Sequence, residues 1–110
     1  MSFVRACALA DLPAVGARKV DVDGLADSLA IVRDAEGTVH AIEDACSHGN
    51  VSLAEGEVDG SCIECWLHGS SFDLRTGEPQ TPPATAAVHV YAVQISGDDV
   101  LVDVSSPINA

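Results

Sequence analysis

The strongest constraint on the fold of this chain is a succession of short apolar or alternating runs separated by turn signals. Gly, Asp and Pro residues interrupt the runs, and no segment keeps the 3.6-residue spacing of an amphipathic helix. The pattern therefore predicts an all-β chain. The predicted strands are Phe3–Leu9, Ala17–Val22, Ser28–Arg33, Thr38–Glu43, Val58–Ile63, Ser70–Leu74, Ala87–Ile95 and Asp99–Val104.

Turn chemistry predicts two hairpins, one at residues 34–37 and one at residues 96–98, because both stretches combine Asp or Ser with Gly. Three other stretches do not alternate as strands do, and we expect loops there. Loops held on a rigid β scaffold are where binding residues usually lie. These loops are Asp44–Gly56, Glu64–Gly69 and Gly77–Pro83.

Length and charge narrow the range of functions. The 110 residues predict one domain, residues 1–110, and 47% of them are hydrophobic, enough for a packed core. Seventeen acidic residues against five basic ones give a formal charge of −12, which argues against nucleic acid and against an anionic membrane as partner. No apolar run approaches the ~20 residues of a membrane span, and no signal peptide is recognised, so we expect a cytoplasmic protein.

Two of the loops carry a cysteine and a histidine each, as Cys46-Ser47-His48 and Cys65-Trp66-Leu67-His68. Two thiolates and two imidazoles suit either a tetrahedral zinc ion or a [2Fe–2S] cluster in which histidines replace two cysteines on one iron. Zinc fingers usually pair Cys with Cys and His with His, whereas each half of this pattern mixes the two. The mixture favours iron and sulfur, with zinc as the alternative.

The pattern continues as Cys65-x-x-His68-Gly69-Ser70-x-Phe72-Asp73, and Pro82-Pro83 follows. Together with Cys46-x-His48, these residues resemble the Rieske [2Fe–2S] family, in particular the small Rieske ferredoxins of bacterial aromatic-ring-hydroxylating dioxygenase systems. The resemblance covers nearly the whole chain. It implies three stacked antiparallel sheets with a small, loop-rich cluster-binding subdomain at about residues 44–83.

The resemblance also implies the ligands. Cys46 and Cys65 would hold the buried iron of one [2Fe–2S] cluster per chain, and His48 and His68 would hold the outer iron. The loop Gly77–Pro83 would cover the cluster, and its prolines would stiffen it.

The resemblance implies a protein that transforms no substrate itself. The resemblance implies a monomeric one-electron carrier between a flavin-dependent ferredoxin reductase and a terminal oxygenase. A second interpretation, from the same motifs, is a Rieske ferredoxin that serves iron–sulfur cluster assembly. A third, from the donor set alone, is a zinc-stabilised binding module.

Four positions bear on the reduction potential. Val51 and Leu67 stand where quinol-oxidising Rieske proteins have two further, disulfide-bonded cysteines. Ser70 stands at a hydroxyl donor position, and Phe72 replaces a Tyr donor of high-potential relatives. Hydrogen bonds to the sulfurs raise the potential. Because Val51 and Leu67 cannot form the disulfide and Phe72 cannot donate, we predict a potential toward the low end of roughly −150 to +300 mV.

The remaining polar residues have simpler predicted roles. Cys7 and Cys62 are expected to be free thiols in strands, and His40 and His89 to be structural residues in strands. Solvated surface charge is the default role of the acidic residues in the cluster segment, and a docking patch for a basic partner is the alternative. These acidic residues are Asp44, Glu55, Glu57 and Glu64.

Overall fold

The computed structural model describes residues 3–22, 28–44, 52–65, 70–80, 87–105 and 107–108. In these ranges the chain forms short strands and two 3-10 helices, Leu9–Asp11 and Leu53–Glu55. No helix there is both long and apolar enough to cross a bilayer. The strands are β1 (Phe3–Ala8), β2 (Gly16–Val20), β3 (Leu29–Arg33), β4 (Val39–Glu43), β5 (Glu57–Asp59), β6 (Cys62–Glu64), β7 (Ser71–Asp73), β8 (Val90–Tyr91), β9 (Val93–Ser96) and β10 (Asp99–Asp103).

These strands form three antiparallel sheets with the orders β1-β10-β9, β2-β3-β4-β8 and β5-β6-β7. The four-stranded sheet is the central layer, because β3 is buried on both faces. Leu29 and Ile31 pack toward β1 and β10, whereas Ala30 and Val32 pack toward the small sheet β5-β6-β7. The predicted all-β architecture of three stacked antiparallel sheets is therefore confirmed.

Residues 58–63 form a hairpin, and the prediction of one continuous strand there is wrong. Gly60 adopts a left-handed φ of 60°, which ends β5, and Gly60 and Ser61 form the turn to β6. Because the chain reverses there, Glu57 lies opposite Glu64 and Val58 lies opposite Ile63. The apolar face of this hairpin packs toward the central sheet, and its acidic face points outward.

The prediction of one strand over residues 87–95 is also wrong. The chain breaks at Ala92. Val90 and Tyr91 pair with β4 in the central sheet, whereas Val93–Ser96, beyond Ala92, pair with β10. The segment therefore passes from one sheet to the next, and it joins the two layers covalently. The predicted hairpins at residues 34–37 and 96–98 are both present, with Gly37 and Gly97 at left-handed φ values of 86° and 59°.

Candidate metal centre

Of the four predicted ligands, Cys65 lies within the described residues. It follows β6 directly, its exposed fraction is 0%, and its thiol forms no disulfide. The other three predicted ligands, Cys46, His48 and His68, lie outside the described residues. The residues on either side of the segments that carry them are described, and they show where those segments leave and rejoin the described fold.

The segment that carries His68 is closed at its base. The backbone N–H of Cys65 donates to the carbonyl oxygen of Ser70 at 2.6 Å, and both residues are fully buried. Just below this bond Glu64 pairs with Ser71 across the β6–β7 ladder. Cys65 and Ser70, on either side of positions 66–69, are therefore held next to each other at the end of a hairpin.

The segment that carries Cys46 and His48 is closed in the same way. The carbonyl oxygen of Asp44 accepts a 2.6 Å hydrogen bond from the backbone N–H of Leu53. Its carboxylate oxygen Oδ1 accepts from the hydroxyl of Ser52 at 2.8 Å and from the N–H of Ala54 at 2.9 Å. Residues 45–51 thus leave and rejoin the described fold at one place.

A third segment, residues 81–86, contains two of the prolines of the predicted covering loop. On its upstream side the N–H of Gln80 donates to the carbonyl of Ser71 at 2.6 Å, and Pro79 bridges to Phe72. On its downstream side the N–H of Val88 donates to the carbonyl of Gly77 at 2.9 Å. Both ends therefore attach to β7 and to the turn that follows it.

The bases of all three segments share one buried apolar cluster. Leu53, Cys65, Phe72 and Val88 belong to it, and each is fully buried. The only sulfur atom among these side chains is that of Cys65. A thiolate in such dry surroundings is unfavourable alone and favourable as a metal ligand.

The donor chemistry fits a [2Fe–2S] cluster. The free thiol of Cys65 is buried in the apolar cluster, and the sequence supplies one more thiol and two imidazoles between described flanks. Cysteine and histidine in equal number are the ligand set of a [2Fe–2S] centre with two histidines on one iron. The described residues thus agree with such a centre in both the type and the burial of the donor.

Comparison with known proteins decides the family. Residues 2–92 match the model of the Rieske [2Fe–2S] domain. The chain belongs to the Rieske [2Fe–2S] family. This match confirms the expected [2Fe–2S] cofactor over the zinc alternative.

Rieske ferredoxins of aromatic dioxygenase systems are similar to this chain along its length. The biphenyl dioxygenase ferredoxin subunit of Pseudomonas sp. (strain KKS102) is 41% identical over 106 residues, which cover 96% of this chain and 94% of that protein. The 3-phenylpropionate/cinnamic acid dioxygenase ferredoxin subunit of Escherichia coli (strain K12) is 36% identical over 104 residues, 94% of each chain. These relatives are electron-transfer subunits and not catalytic enzymes, as expected for this chain.

Solved Rieske ferredoxin structures have the same fold. The ferredoxin of carbazole 1,9a-dioxygenase from Nocardioides aromaticivorans IC177 superposes with a TM-score of 0.82 at 38% identity, covering 93% of this chain and 97% of that one. A chain from a complex of reduced oxygenase and oxidised ferredoxin in carbazole 1,9a-dioxygenase superposes with a TM-score of 0.86 at 35% identity, covering 96% of both. The expected Rieske fold is confirmed by these neighbours.

The other two described cysteines of this Rieske protein lie away from the segment bases. Cys7 is buried in β1, where burial raises the pKa of its thiol. Cys62 lies in β6 on the outward face, between Asp59 and Asp73 of the neighbouring strands. Both are free thiols in strands, as predicted.

The acidic residues of the cluster segment divide into two kinds. Glu55, Glu57 and Glu64 are exposed, as expected of surface charge. The expectation of a surface role for Asp44 is wrong: only 5% of it is exposed, and its carboxylate binds the chain at residues 52 and 54.

Asp73 lies in β7 opposite Cys62, on the outward face of the small sheet. Burial would raise the pKa of Asp73, but hydrogen bonds from Arg75 outweigh burial and lower it.

One buried polar pair was not predicted from the sequence. His40 Nε2 lies 2.8 Å from Asp34 Oδ2, and both side chains are buried. Burial would raise the pKa of Asp34, but hydrogen bonds from His40 and from the backbone N–H groups of Thr38 and Glu36 outweigh it and hold the pKa below its ordinary value. The only sequence signal was a His on the hairpin arm that follows an Asp-initiated turn.

The two predicted structural histidines differ in their environment. His40 lies in β4 and is buried, as predicted. His89 lies outside the strands and its side chain is 52% exposed, so the strand prediction for this residue is wrong. Its backbone is nevertheless held, because its N–H donates to Glu43 Oε1 at 2.7 Å and its carbonyl accepts from the N–H of Glu43 at 2.9 Å.

Proposed function

We propose that this Rieske ferredoxin carries single electrons from a flavin-containing reductase to a terminal ring-hydroxylating oxygenase. The observation that carries the proposal is its 41% identity, over 96% of the chain, to the ferredoxin subunit of a biphenyl dioxygenase. When bound, a Rieske cluster supplies a one-electron redox couple at the protein surface. The chain itself binds, orients and shields that group.

The proposed ligands are Cys46 and Cys65 for one iron and His48 and His68 for the other. The complete burial of Cys65 supports the part of this assignment that falls in the described residues. A thiolate ligand in an apolar cluster is shielded from water and from oxidants. Imidazole ligands, which carry no charge when neutral, suit the more accessible side of such a centre.

The described residues around the proposed site are held by short hydrogen bonds and close packing. Each of the three segments is closed at its base by at least one backbone hydrogen bond of 2.9 Å or shorter. All three bases also rest on the same close-packed cluster. Since packed interiors resist deformation, the ligands can keep their positions when the charge of the site changes by one electron.

Two features support a potential toward the low end of the Rieske range. Phe72 is fully buried in the cluster that contains Cys65, and its ring offers no hydrogen-bond donor to a sulfur. The net charge of −12 also disfavours the addition of an electron, although cellular salt screens part of this effect.

We also propose that residues 44–83 form the cluster-binding subdomain of a single domain spanning residues 1–110, and that the protein is a monomer of the cytoplasm. The small sheet β5-β6-β7 and the closed bases of the three segments support the subdomain. The unpaired thiols of Cys7 and Cys62 are typical of a reducing compartment.

Rapid mixing of the anaerobic holoprotein with a reductase and an oxygenase from an aromatic dioxygenase system tests the proposed function. We expect the visible absorption of the oxidised protein to bleach on addition of the reduced flavin enzyme and to return on addition of the oxidised oxygenase. Without the oxygenase, no aromatic substrate is consumed. A holoprotein that the reductase cannot reduce, or that the oxygenase cannot reoxidise, would contradict the proposal.

A further inference from the structure

Asp44 is a buried carboxylate at the point where β4 ends and residues 45–51 begin. It takes part in four hydrogen bonds with other described residues. Its N–H donates to the carbonyl of Ser28 at 3.1 Å, and its own carbonyl accepts from the N–H of Leu53 at 2.6 Å. Its Oδ1 atom accepts from the Ser52 hydroxyl at 2.8 Å and from the Ala54 N–H at 2.9 Å. One residue thus binds both the central sheet and the far end of the segment.

The bonds to residues 52–54 close a loop of the chain. Asp44 lies directly before the segment that carries Cys46 and His48, and Ser52 lies directly after it. The entropic cost of bringing these two ends together is therefore met by the fold itself, before any ligand binds. The carboxylate supplies two of these closing bonds, and it does so from a site shielded from water, where hydrogen bonds are strong.

The far end of the segment is itself fastened to the second ligand segment. Leu53 is fully buried in the same apolar cluster as Cys65. Gly56, three residues later, packs so closely on the backbone that an added Cβ would lie 1.9 Å from the carbonyl oxygen of Glu64. Glu64 immediately precedes Cys65 in the chain. The residues that Asp44 holds are therefore in fixed relation to the start of the second segment.

We propose that Asp44 is a positioning residue for the cluster, and that its carboxylate sets the place of the Cys46–His48 segment relative to Cys65. The proposal rests on the ligand set proposed above. It makes the hydrogen-bonding geometry of the carboxylate, and not its charge, the property that matters. Asn at this position keeps an oxygen that can accept both bonds, whereas Ala keeps none.

The test uses the anaerobic holoprotein and three variants of the proposed contacts: Asp44→Ala, Asp44→Asn and Ser52→Ala. Val102→Ala is the control, because Val102 is fully buried in β10 on the opposite side of the central sheet. It lowers global stability without touching the segment. The first readout is the rate of iron release to a ferrous chelator, compared at equal fractions of folded protein. The second is the EPR spectrum of the reduced cluster.

We expect Asp44→Ala to release iron at least about ten-fold faster than Val102→Ala and to shift or broaden the EPR signal, since a lost buried hydrogen bond costs the segment much of its order. Asp44→Asn should stay within about three-fold of the wild type, and Ser52→Ala should change release in the same direction by a smaller factor. Equal release from Asp44→Ala and Val102→Ala would overturn the proposal. An Asp44→Asn variant as defective as Asp44→Ala would overturn it too, because charge would then be the important property.

Amide hydrogen exchange keeps this test separate from the proposed function. In Asp44→Ala the Ala54 amide should exchange about ten-fold faster than in the wild type, while the Val4 and Val102 amides follow only the change in global stability. This comparison does not depend on a bound cluster. A wild-type protein that binds no iron would contradict the proposed function, whereas an unchanged Ala54 amide would contradict the role of Asp44.

Discussion

Gly56 lies against the backbone of Glu64 with no room for a side chain: a Cβ on Gly56 would be 1.9 Å from the Glu64 carbonyl oxygen. The φ of Gly56 is −81°, which other residues adopt freely. Glycine is therefore required here by the close approach of two backbones and not by its torsion angles. This approach joins the 3-10 helix Leu53–Glu55 to β6, and so it joins the bases of the two segments that carry the proposed ligands.

Gly56→Ala is expected to destabilise the protein by about 3 kcal/mol or more, because the obstacle is a backbone atom that cannot rotate away. Gly97→Ala is the matched control. Its added Cβ meets open space, and only the left-handed φ of 59° is penalised, at about 1–2 kcal/mol. Urea unfolding of both variants measures the difference. Equal losses would show that the Gly56 contact relaxes at little cost.

Asp34→Ala is expected to cost about 2–3 kcal/mol at neutral pH, because it removes the acceptor of three hydrogen bonds in a buried turn. These bonds come from the Glu36 and Thr38 N–H groups and from His40. Urea unfolding at pH 7 gives the value. A loss below that of an exposed control, Asp59→Ala, would mean that the pair contributes nothing to stability.

The same carboxylate predicts a pH dependence. The pKa of Asp34 is lower in the folded protein than its ordinary value of 3.8. Its contribution to stability is therefore complete above about pH 4 and is lost as the pH falls through the lower folded pKa, since the unfolded chain binds the proton first. Asp34→Asn should flatten the acid side of the stability curve between about pH 4 and pH 2. Asp59→Asn should not, and identical slopes for the two variants would contradict this explanation.

Phe72→Tyr tests how the site tunes its potential. Phe72 is fully buried beside the apolar residues that surround Cys65. A hydroxyl there can donate to a ligand sulfur and favour the reduced state, so we expect a positive shift on the order of 50 mV. Voltammetry of the holoprotein measures it, with Phe72→Leu as the control that adds no donor. A shift of zero or a negative shift would remove Phe72 from the account of the potential.

Cys65→Ser and Cys62→Ser distinguish the proposed cluster ligand from a second free thiol three residues earlier in the chain. Cys65 is fully buried at the base of the site, and Cys62 is partly exposed on the outward face of β6. We expect Cys65→Ser to lose the cluster and its visible absorption, and Cys62→Ser to keep both. Iron analysis per folded chain checks this. Retention of a full cluster by Cys65→Ser would show that the ligand assignment is wrong.

Local chemistry was sufficient to predict the parts of the fold that depend on neighbours in sequence. The Asp34–Gly37 turn and the Ser96–Asp98 turn were both readable, because Asp, Ser and Gly set their geometry directly. The mixed Cys and His spacing was equally local, and it predicted the iron–sulfur cofactor. The turn at Gly60 was readable in principle, since Asp59-Gly60 is a turn dipeptide within an otherwise strand-like run.

Features set by packing between distant segments could not be predicted. Nothing at Ala92 marks a passage between sheets, because two apolar surfaces decide where the strand divides. The role of Asp44 was also hidden, since an acidic residue in a polar stretch is usually solvated. Only the fold brings Ser52 and Ala54 to its carboxylate. The same holds for His40 and Asp34, which meet because two hairpin arms are paired.

Iron and acid-labile sulfide analysis of the anaerobically purified protein, combined with EPR of its reduced form, tests the central claim most directly. We expect two irons and two sulfides per chain, as one [2Fe–2S] cluster requires. We also expect an EPR signal of low average g value, because two imidazoles donate less charge to the iron than two thiolates. A colourless protein with one zinc ion and no sulfide would contradict the account.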